Sequence, residues 1–119
     1  MYTIDEVKGK IIDACRKYGI SVEHVEKALN EIKRWKKNIR GVGVHPTGWL
    51  WIAMHQPSKF IWEGVVFSPL EPRGEWGSFY LWDPEEVGAE KLVEPNYRYK
   101  VTPEELEEAR RRFKEVFGL

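Results

Sequence analysis

The chain has 119 residues, 42% of them hydrophobic and 32% charged, and its 19 basic and 19 acidic side chains give a formal net charge of zero. This composition excludes a disordered chain and predicts a single domain, residues 1–119, that is long enough to bury a core. No apolar run approaches the roughly 18 residues of a membrane span, and the lone Cys15 excludes an intrachain disulfide.

The opening residues, MYTIDEVKGK, contain neither a basic start nor an apolar h-region. We therefore predict no secretion signal. Because the chain has a single cysteine, a reducing cytoplasm is the simplest setting, and we expect a cytoplasmic protein with no membrane partner. The chain has sixteen Glu residues but only three Asp, three Asn and one Gln, a bias that is typical of thermophiles.

The charge is unevenly distributed along the chain, because Lys33–Arg40 has five bases and no acid, whereas Asp83–Glu94 has five acids and one lysine. Such local fields matter for partners more than the net charge does.

The first third of the chain predicts two helices that form a hairpin. Thr3 and Glu6 are spaced as a capping box, the apolar residues after them recur at helical spacing, and Gly19 is typical of a helix end. Ser21 is positioned to cap a second helix with its own apolar stripe. Because the link between the helices is short, we expect an antiparallel or angled pair.

The stretch ACRKYGISVEHVEKAL resembles helix-turn-helix proteins. The points of similarity are Cys15, the turn residue Gly19, Ile20, Ser21, Val25 and Ala28. The resemblance implies a DNA-recognition role for the second helix. However, Glu23, Glu26 and Glu31 would then face phosphates, whose attraction to basic residues dominates affinity. We therefore interpret this stretch as a helical hairpin.

Three strands are predicted in the middle of the chain, at Trp49–His55, Phe60–Phe67 and Trp76–Trp82, with proline and glycine in their connections. The stretch before them, RGVGVHPTG, is interpreted as a connection. It does not predict a phosphate loop, because it leaves a helix and enters a strand and no Gly-Lys-Ser/Thr follows. After the strands, DPEEV predicts a short helical turn. NYRYKV alternates as a fourth, edge strand would.

The last helix has the clearest start in the chain. The stretch TPEE has Thr102 at the cap position, Pro103 at the first helical position and Glu105 where it closes a capping box. The order of elements is therefore α-α-β-β-β-(β)-α. We predict an α+β fold with an N-terminal helical hairpin, a three- to four-stranded antiparallel sheet and a C-terminal helix.

The predicted strands are apolar on both faces. If neighbouring strands share the same parity, one face carries aliphatic core residues and the other carries Trp49, Trp51, Phe60, Trp62, Val66, Trp76, Tyr80 and Trp82. A large aromatic side chain buries about 150–250 Å², and the largest apolar patch of a typical monomer is about 300–600 Å². Something therefore covers this face: the C-terminal helix or the acidic segment, a second copy of the chain, or a ligand.

We predict a non-enzymatic binding module that uses this face, without a cofactor or a metal. Its partner is a protein, which includes a second copy in a homodimer, or single-stranded nucleic acid. Aromatic rings stack with bases, and the cations of KRWKKNIR suit phosphates. The predicted contacts are Trp49, Trp51, Trp62, Tyr80 and Trp82 on the sheet, with Lys33, Arg34, Lys36, Lys37 and Arg40 for phosphates.

Two alternatives stay open. A small enzyme would use His45, His55 and Glu63, because two imidazoles and a carboxylate can hold a catalytic metal or serve as acid and base. This alternative expects Glu63 to lie across a hairpin from His55. An accessory or inhibitor protein would instead use the acidic segment Asp83–Glu94 to occupy a basic site on a nucleic-acid-binding partner.

Overall fold

The computed structural model describes residues 1–80 and 88–118. Two N-terminal helices, an antiparallel sheet and a C-terminal helix confirm the predicted α+β fold, and the sheet has five strands where three to four were predicted. In chain order, the elements are α1 Ile4–Tyr18, α2 Val22–Arg34, β1 Gly41–His45, β2 Trp49–Ser58, β3 Ile61–Phe67, β4 Glu75–Tyr80, β5 Glu90–Val93 and α3 Pro103–Phe117.

The helices begin where the sequence predicts. Thr3 accepts a hydrogen bond from the N–H of Glu6 at the start of α1, and Ser21 accepts one from the N–H of His24 at the start of α2. Thr102 and the third residue of α3 form the complete capping box. Gly19 ends α1 with a φ of 70°, in the left-handed conformation that favours glycine.

The sheet has the strand order β4-β3-β2-β1-β5. Two of its strands were not predicted. Residues 41–45, interpreted as a connection, form β1, and β5 lies within the acidic segment. The predicted edge strand at residues 96–101 is wrong, because this stretch is a loop. The predicted turn at DPEEV and the last two residues of the third predicted strand lie outside the described residues.

The main core lies between α1, α2 and one face of the sheet, which we call the helix side. Val42 and Val44 of β1 are completely buried there, beside their Cα partners Ile52 and Leu50 in β2. The same cluster includes Val7, Ile11, Cys15, Val25, Leu29, Ile32, Ile39, Met54 and Phe67. Every member is apolar or a thiol, so burial on this side needs no polar compensation.

The opposite face, which we call the far side, is partly covered by the chain that follows β5. This chain crosses the end of β2, where it hydrogen-bonds to Gln56, and Tyr97 contacts Trp62 of β3. Lys59 then forms an ion pair with Glu105 in α3. Ala53, Trp62 and Ala109 are buried but do not belong to the helix-side cluster. Part of the far side is therefore a second apolar layer.

Candidate functional site

The predicted aromatic face is divided between the two sides of the sheet. Trp76 of β4 is the Cα partner of Val65, which packs on the helix-side core, and Tyr80 is the Cα partner of Ile61. Trp62, in contrast, lies on the far side. Because Cα partners point to the same face, the assumption of shared parity is wrong for β4.

The two tryptophans at the start of β2 do lie together. The ring centroids of Trp49 and Trp51 are 6.1 Å apart with an interplanar angle of 21°, and both side chains are half-buried on the far side. Trp62 is only 2% exposed, and its ring packs against that of Tyr97 in a T-shaped arrangement, with the ring centroids 5.4 Å apart. Its indole is therefore part of the second apolar layer. Trp82 lies outside the described residues, as does the side chain of Tyr80.

The basic segment Lys33–Arg40 begins in the last turn of α2 and is solvent-exposed over most of its length. Lys33 contacts Asp5 at 2.9 Å, and Arg34 contacts Glu31 at 3.0 Å. Lys36 and Lys37 are exposed, and no acidic partner is present for either of them in the part of the chain that the structure describes. Their positive charges are therefore available to an external anion.

Trp35 and Lys36 form the end of α2. Trp35 is 55% exposed although its side chain is large and apolar, and its neighbours in the segment are charged. The N–H of Lys36 donates to the carbonyl of Lys33, and the N–H of Lys37 donates to the carbonyl of Ile32. This is the Schellman pattern, in which the left-handed position is usually a glycine. Here Lys36 occupies it with a φ of 56°, and it is the single non-glycine residue with positive φ among those described.

A second stretch with aromatic and cationic side chains lies beside the end of this segment. The N–H of Asn96 donates to the carbonyl of Arg40 at 2.7 Å, and the Arg40 guanidinium donates to the Asn96 side chain at 3.1 Å. Beyond Asn96, Tyr97 and Tyr99 are both exposed, with 41% and 38% of their surface in contact with solvent. The guanidinium of Arg98 lies 5.0 Å from the Tyr99 ring centroid.

Buried hydrogen bonds fix this second stretch to the sheet. The Gln56 side chain is buried, and its carbonyl oxygen accepts from the N–H groups of Arg98 at 2.8 Å and Tyr99 at 3.1 Å. Its amide nitrogen donates to the carbonyls of Tyr99 and Lys59. All four hydrogen bonds hold backbone groups, so the loop has a defined conformation without being part of the sheet.

We call these two joined stretches the cationic–aromatic strip. Its residues are Trp35, Lys36, Lys37, Arg40, Tyr97, Arg98, Tyr99 and Lys100. The first four come from the segment that the sequence singles out. The other four were missed as site residues because their alternation was interpreted as a strand, although the same alternation of tyrosine and cation in NYRYK is itself a signal for a surface that meets an anionic, aromatic ligand.

The residues of the alternative catalytic site lie in two places. His55 is the Cα partner of Glu63, which confirms that these two face each other across a hairpin. His45 pairs with Trp49, six residues before His55 along β2, or about 20 Å at the rise of a strand. The described residues contain no group of three or more His, Cys, Asp or Glu side chains that could hold a metal ion. The three predicted residues therefore do not form one site.

Cys15 and the acidic segment complete the predicted candidates. Burial raises the pKa of the Cys15 thiol to about 11, so it is neutral and enclosed at physiological pH. Residues 83–87 of the acidic segment lie outside the described residues. In its remaining part, Glu90 accepts a hydrogen bond from the Tyr18 hydroxyl at 3.0 Å, and Lys91 contacts Glu94 at 3.7 Å.

Comparison of the chain with protein-family models, with curated proteins and with solved structures gave no match in any of the three. In residues 1–80 and 88–118, none of the helices has both the length and the apolar character that crossing a membrane requires.

Proposed function

We propose that this protein binds single-stranded nucleic acid through the cationic–aromatic strip and that it does so in the cytoplasm. The observation that carries this proposal is the left-handed backbone conformation of Lys36, which has a φ of 56°. A left-handed conformation costs a non-glycine residue roughly 1–2 kcal/mol, and glycine would relieve that cost at this helix end. A strained position that keeps a charged side chain is typical of a functional site.

The charges of the strip suit a phosphate backbone. Lys36, Lys37, Arg40, Arg98 and Lys100 contribute five positive charges, and no ion pair of the described residues involves any of them. Five cations on the helices, in contrast, each contact a carboxylate: Arg16, Lys33, Arg34, Arg111 and Arg112. Cations that contact no carboxylate gain the most from phosphates, because they give up no ion pair and release condensed counterions from the ligand.

The aromatic residues of the strip favour single strands over duplexes. Bases in a duplex are stacked on one another, whereas unpaired bases can stack on protein rings. Trp35, Tyr97 and Tyr99 all expose more than a third of their surface. Each base stacked on such a ring contributes about 1–3 kcal/mol. Cations alone would bind both forms of nucleic acid, so the exposed rings are what selects the single strand.

The proposed site lies at the end of the sheet, whereas the sequence predicts a site on the sheet face. Trp62 is covered by Tyr97, and Trp49 and Trp51 are half-buried against each other. Lys33 and Arg34 flank the strip but already contact carboxylates. The other three predicted phosphate contacts, Lys36, Lys37 and Arg40, belong to the strip.

The test is a titration of a fluorescently labelled single strand of about 16 nucleotides, the upper end of known site sizes, followed by anisotropy. We expect saturable binding that weakens with salt, and weaker binding to the matching duplex. The double variant Lys36→Gln, Lys37→Gln loses two phosphate contacts. Its slope of log K against log salt should therefore be shallower by about 1.4.

The matched control is Lys10→Gln, Lys114→Gln, which removes the same charge from exposed positions in α1 and α3. It should keep the wild-type slope. Equal slopes for both double variants would show that binding depends on total charge and not on the strip. Tighter binding to the duplex would also contradict the proposal.

A further inference from the structure

The exposed edge of the sheet at β4 has a separate feature that nucleic-acid binding does not explain. β4 is an outer strand, and among the described residues it pairs with β3 alone. Its six Cα pairs with β3 run without a register shift. Trp76, on the helix side of this strand, is 51% exposed. The centroid of its ring lies 5.9 Å from that of the His55 ring, so the two rings pack against each other.

The two edges of the sheet differ in how they are protected. β5, at the other edge, has four residues, two of them the charged Glu90 and Lys91, and its pairing with β1 is interrupted between Val42 and Gly43. Short length, charge and irregularity are the usual ways to prevent an edge from pairing with another chain. The sequence of β4, EWGSFY, has no proline, no lysine and no arginine, and its one charge is at its first residue.

We infer that β4 pairs with β4 of a second copy of this chain, in antiparallel orientation, to form a dimer with a continuous ten-stranded sheet. An antiparallel pair of identical strands has two-fold symmetry, which is the commonest symmetry of homo-oligomers. Gly77 is the residue that suits the axis. A Cβ built on it meets no atom within 4 Å, so the face of the sheet is open at this position and a side chain can be introduced there.

Pairing Gly77 with Gly77 gives side chains of complementary size. Trp76 then lies opposite Ser78 of the second copy, on the helix side, and the large ring fills the space beside the small residue. Glu75 lies opposite Phe79, so the two acidic side chains do not face each other. Burial of an exposed tryptophan at an interface is a common source of binding energy.

Sedimentation equilibrium at about 100 μM, a hundred times a micromolar dissociation constant, tests this inference. We expect a mass of about 28 kDa, twice the 14.1 kDa of the chain. Trp76→Lys should shift the mass to that of the monomer while the affinity for single strands stays unchanged. Trp35→Lys, an equal change at an equally exposed tryptophan, should stay dimeric. A monomeric wild type, or a dimer that Trp76→Lys leaves intact, would overturn the inference.

If Trp76→Lys does not fold, a cysteine variant tests the pairing of the two β4 strands instead. Gly77→Cys should form a covalent dimer with oxidised glutathione, because partners across an antiparallel pair lie within disulfide reach. Glu75→Cys should not, since its equivalents would be about 13 Å apart. Cys15 is buried and does not interfere. Failure of Gly77→Cys to cross-link, or equal cross-linking of both variants, would overturn the proposed pairing.

Discussion

The side-chain amide of Gln56 exchanges two hydrogen bonds with the backbone of Tyr99, accepting from its N–H at 3.1 Å and donating to its carbonyl at 2.9 Å. A strand residue exchanges the same pair of bonds with its partner in a ladder. The buried side chain of Gln56 thus bonds the backbone of residues 96–101 as a neighbouring strand would if these residues formed the predicted strand. The loop that carries half of the strip depends on this residue.

Gln56→Glu should destabilise the protein. A carboxylate keeps the two acceptor contacts, to Arg98 and Tyr99, but its second oxygen then faces the carbonyls that the amide nitrogen bonds. Burying that charge beside unsatisfied carbonyls should cost at least about 2 kcal/mol, as measured by urea unfolding at pH 7. Protonation of the introduced carboxyl should recover part of the loss near pH 4. A loss that does not depend on pH would contradict this account of Gln56.

Lys36→Gly should stabilise the fold and weaken binding. Relief of the left-handed strain, roughly 1–2 kcal/mol, exceeds the entropic cost of glycine, about 0.5–1 kcal/mol. We expect a gain of about 0.5–1 kcal/mol in the free energy of unfolding, with a lower affinity for single strands. Lys37→Gly, at a position without positive φ, should lose affinity and gain no stability. A destabilised Lys36→Gly variant would contradict the argument from strain.

Gly64 and Gly77 are Cα partners in β3 and β4, yet alanine should destabilise the fold at Gly64 and leave it unchanged at Gly77. A Cβ on Gly64 would lie 1.9 Å from the backbone oxygen of Ile52, so the sheet would have to move apart. A Cβ on Gly77 meets nothing. In thermal unfolding, Gly64→Ala should lose more than about 3 kcal/mol or fail to fold, and Gly77→Ala should stay within about 0.5 kcal/mol. Similar values for the two variants would contradict the register of this hairpin.

The thiol of Cys15 should be unreactive until the protein unfolds. Its pKa is raised from 9.0 to about 11 by burial, so folding favours the neutral thiol. The resulting stability is complete below pH 9 and is lost as the pH rises towards 11. The difference in free energy of unfolding between wild type and Cys15→Ala should therefore shrink over this interval. Rapid reaction of the native thiol with a disulfide reagent at pH 8 would contradict the burial.

The ends of the elements were predictable because each depends on local chemistry. The caps at Thr3, Ser21 and Thr102 are fixed by a few neighbouring residues, and all three occur as predicted. The strand β1 was missed because three of its five residues are glycine or histidine, and it owes its existence to Val42 and Val44, which pack under the helices. Tertiary burial of this kind has no local signal.

The relative faces of β3 and β4 could not be predicted, since they depend on the turn between them. Ser68 and Glu71 exchange two backbone hydrogen bonds in this turn, and Gly74 has a φ of 85° just before β4. A change of one residue in such a connection moves every side chain of the strand to the other face. That is why Trp76 lies on the helix side. Half of the strip was predictable from its cations, and the other half required the contacts of Gln56.

The affinity of Trp35→Ala for a short single strand at low salt tests the central claim most directly. The control is Trp76→Ala, because the two tryptophans are exposed to nearly the same extent but only Trp35 lies in the strip. We predict that Trp35→Ala loses about 1–3 kcal/mol of binding free energy, the contribution of one stacked base, while Trp76→Ala binds as the wild type does. Equal affinities for all three proteins, or no binding by the wild type, would contradict the proposed function.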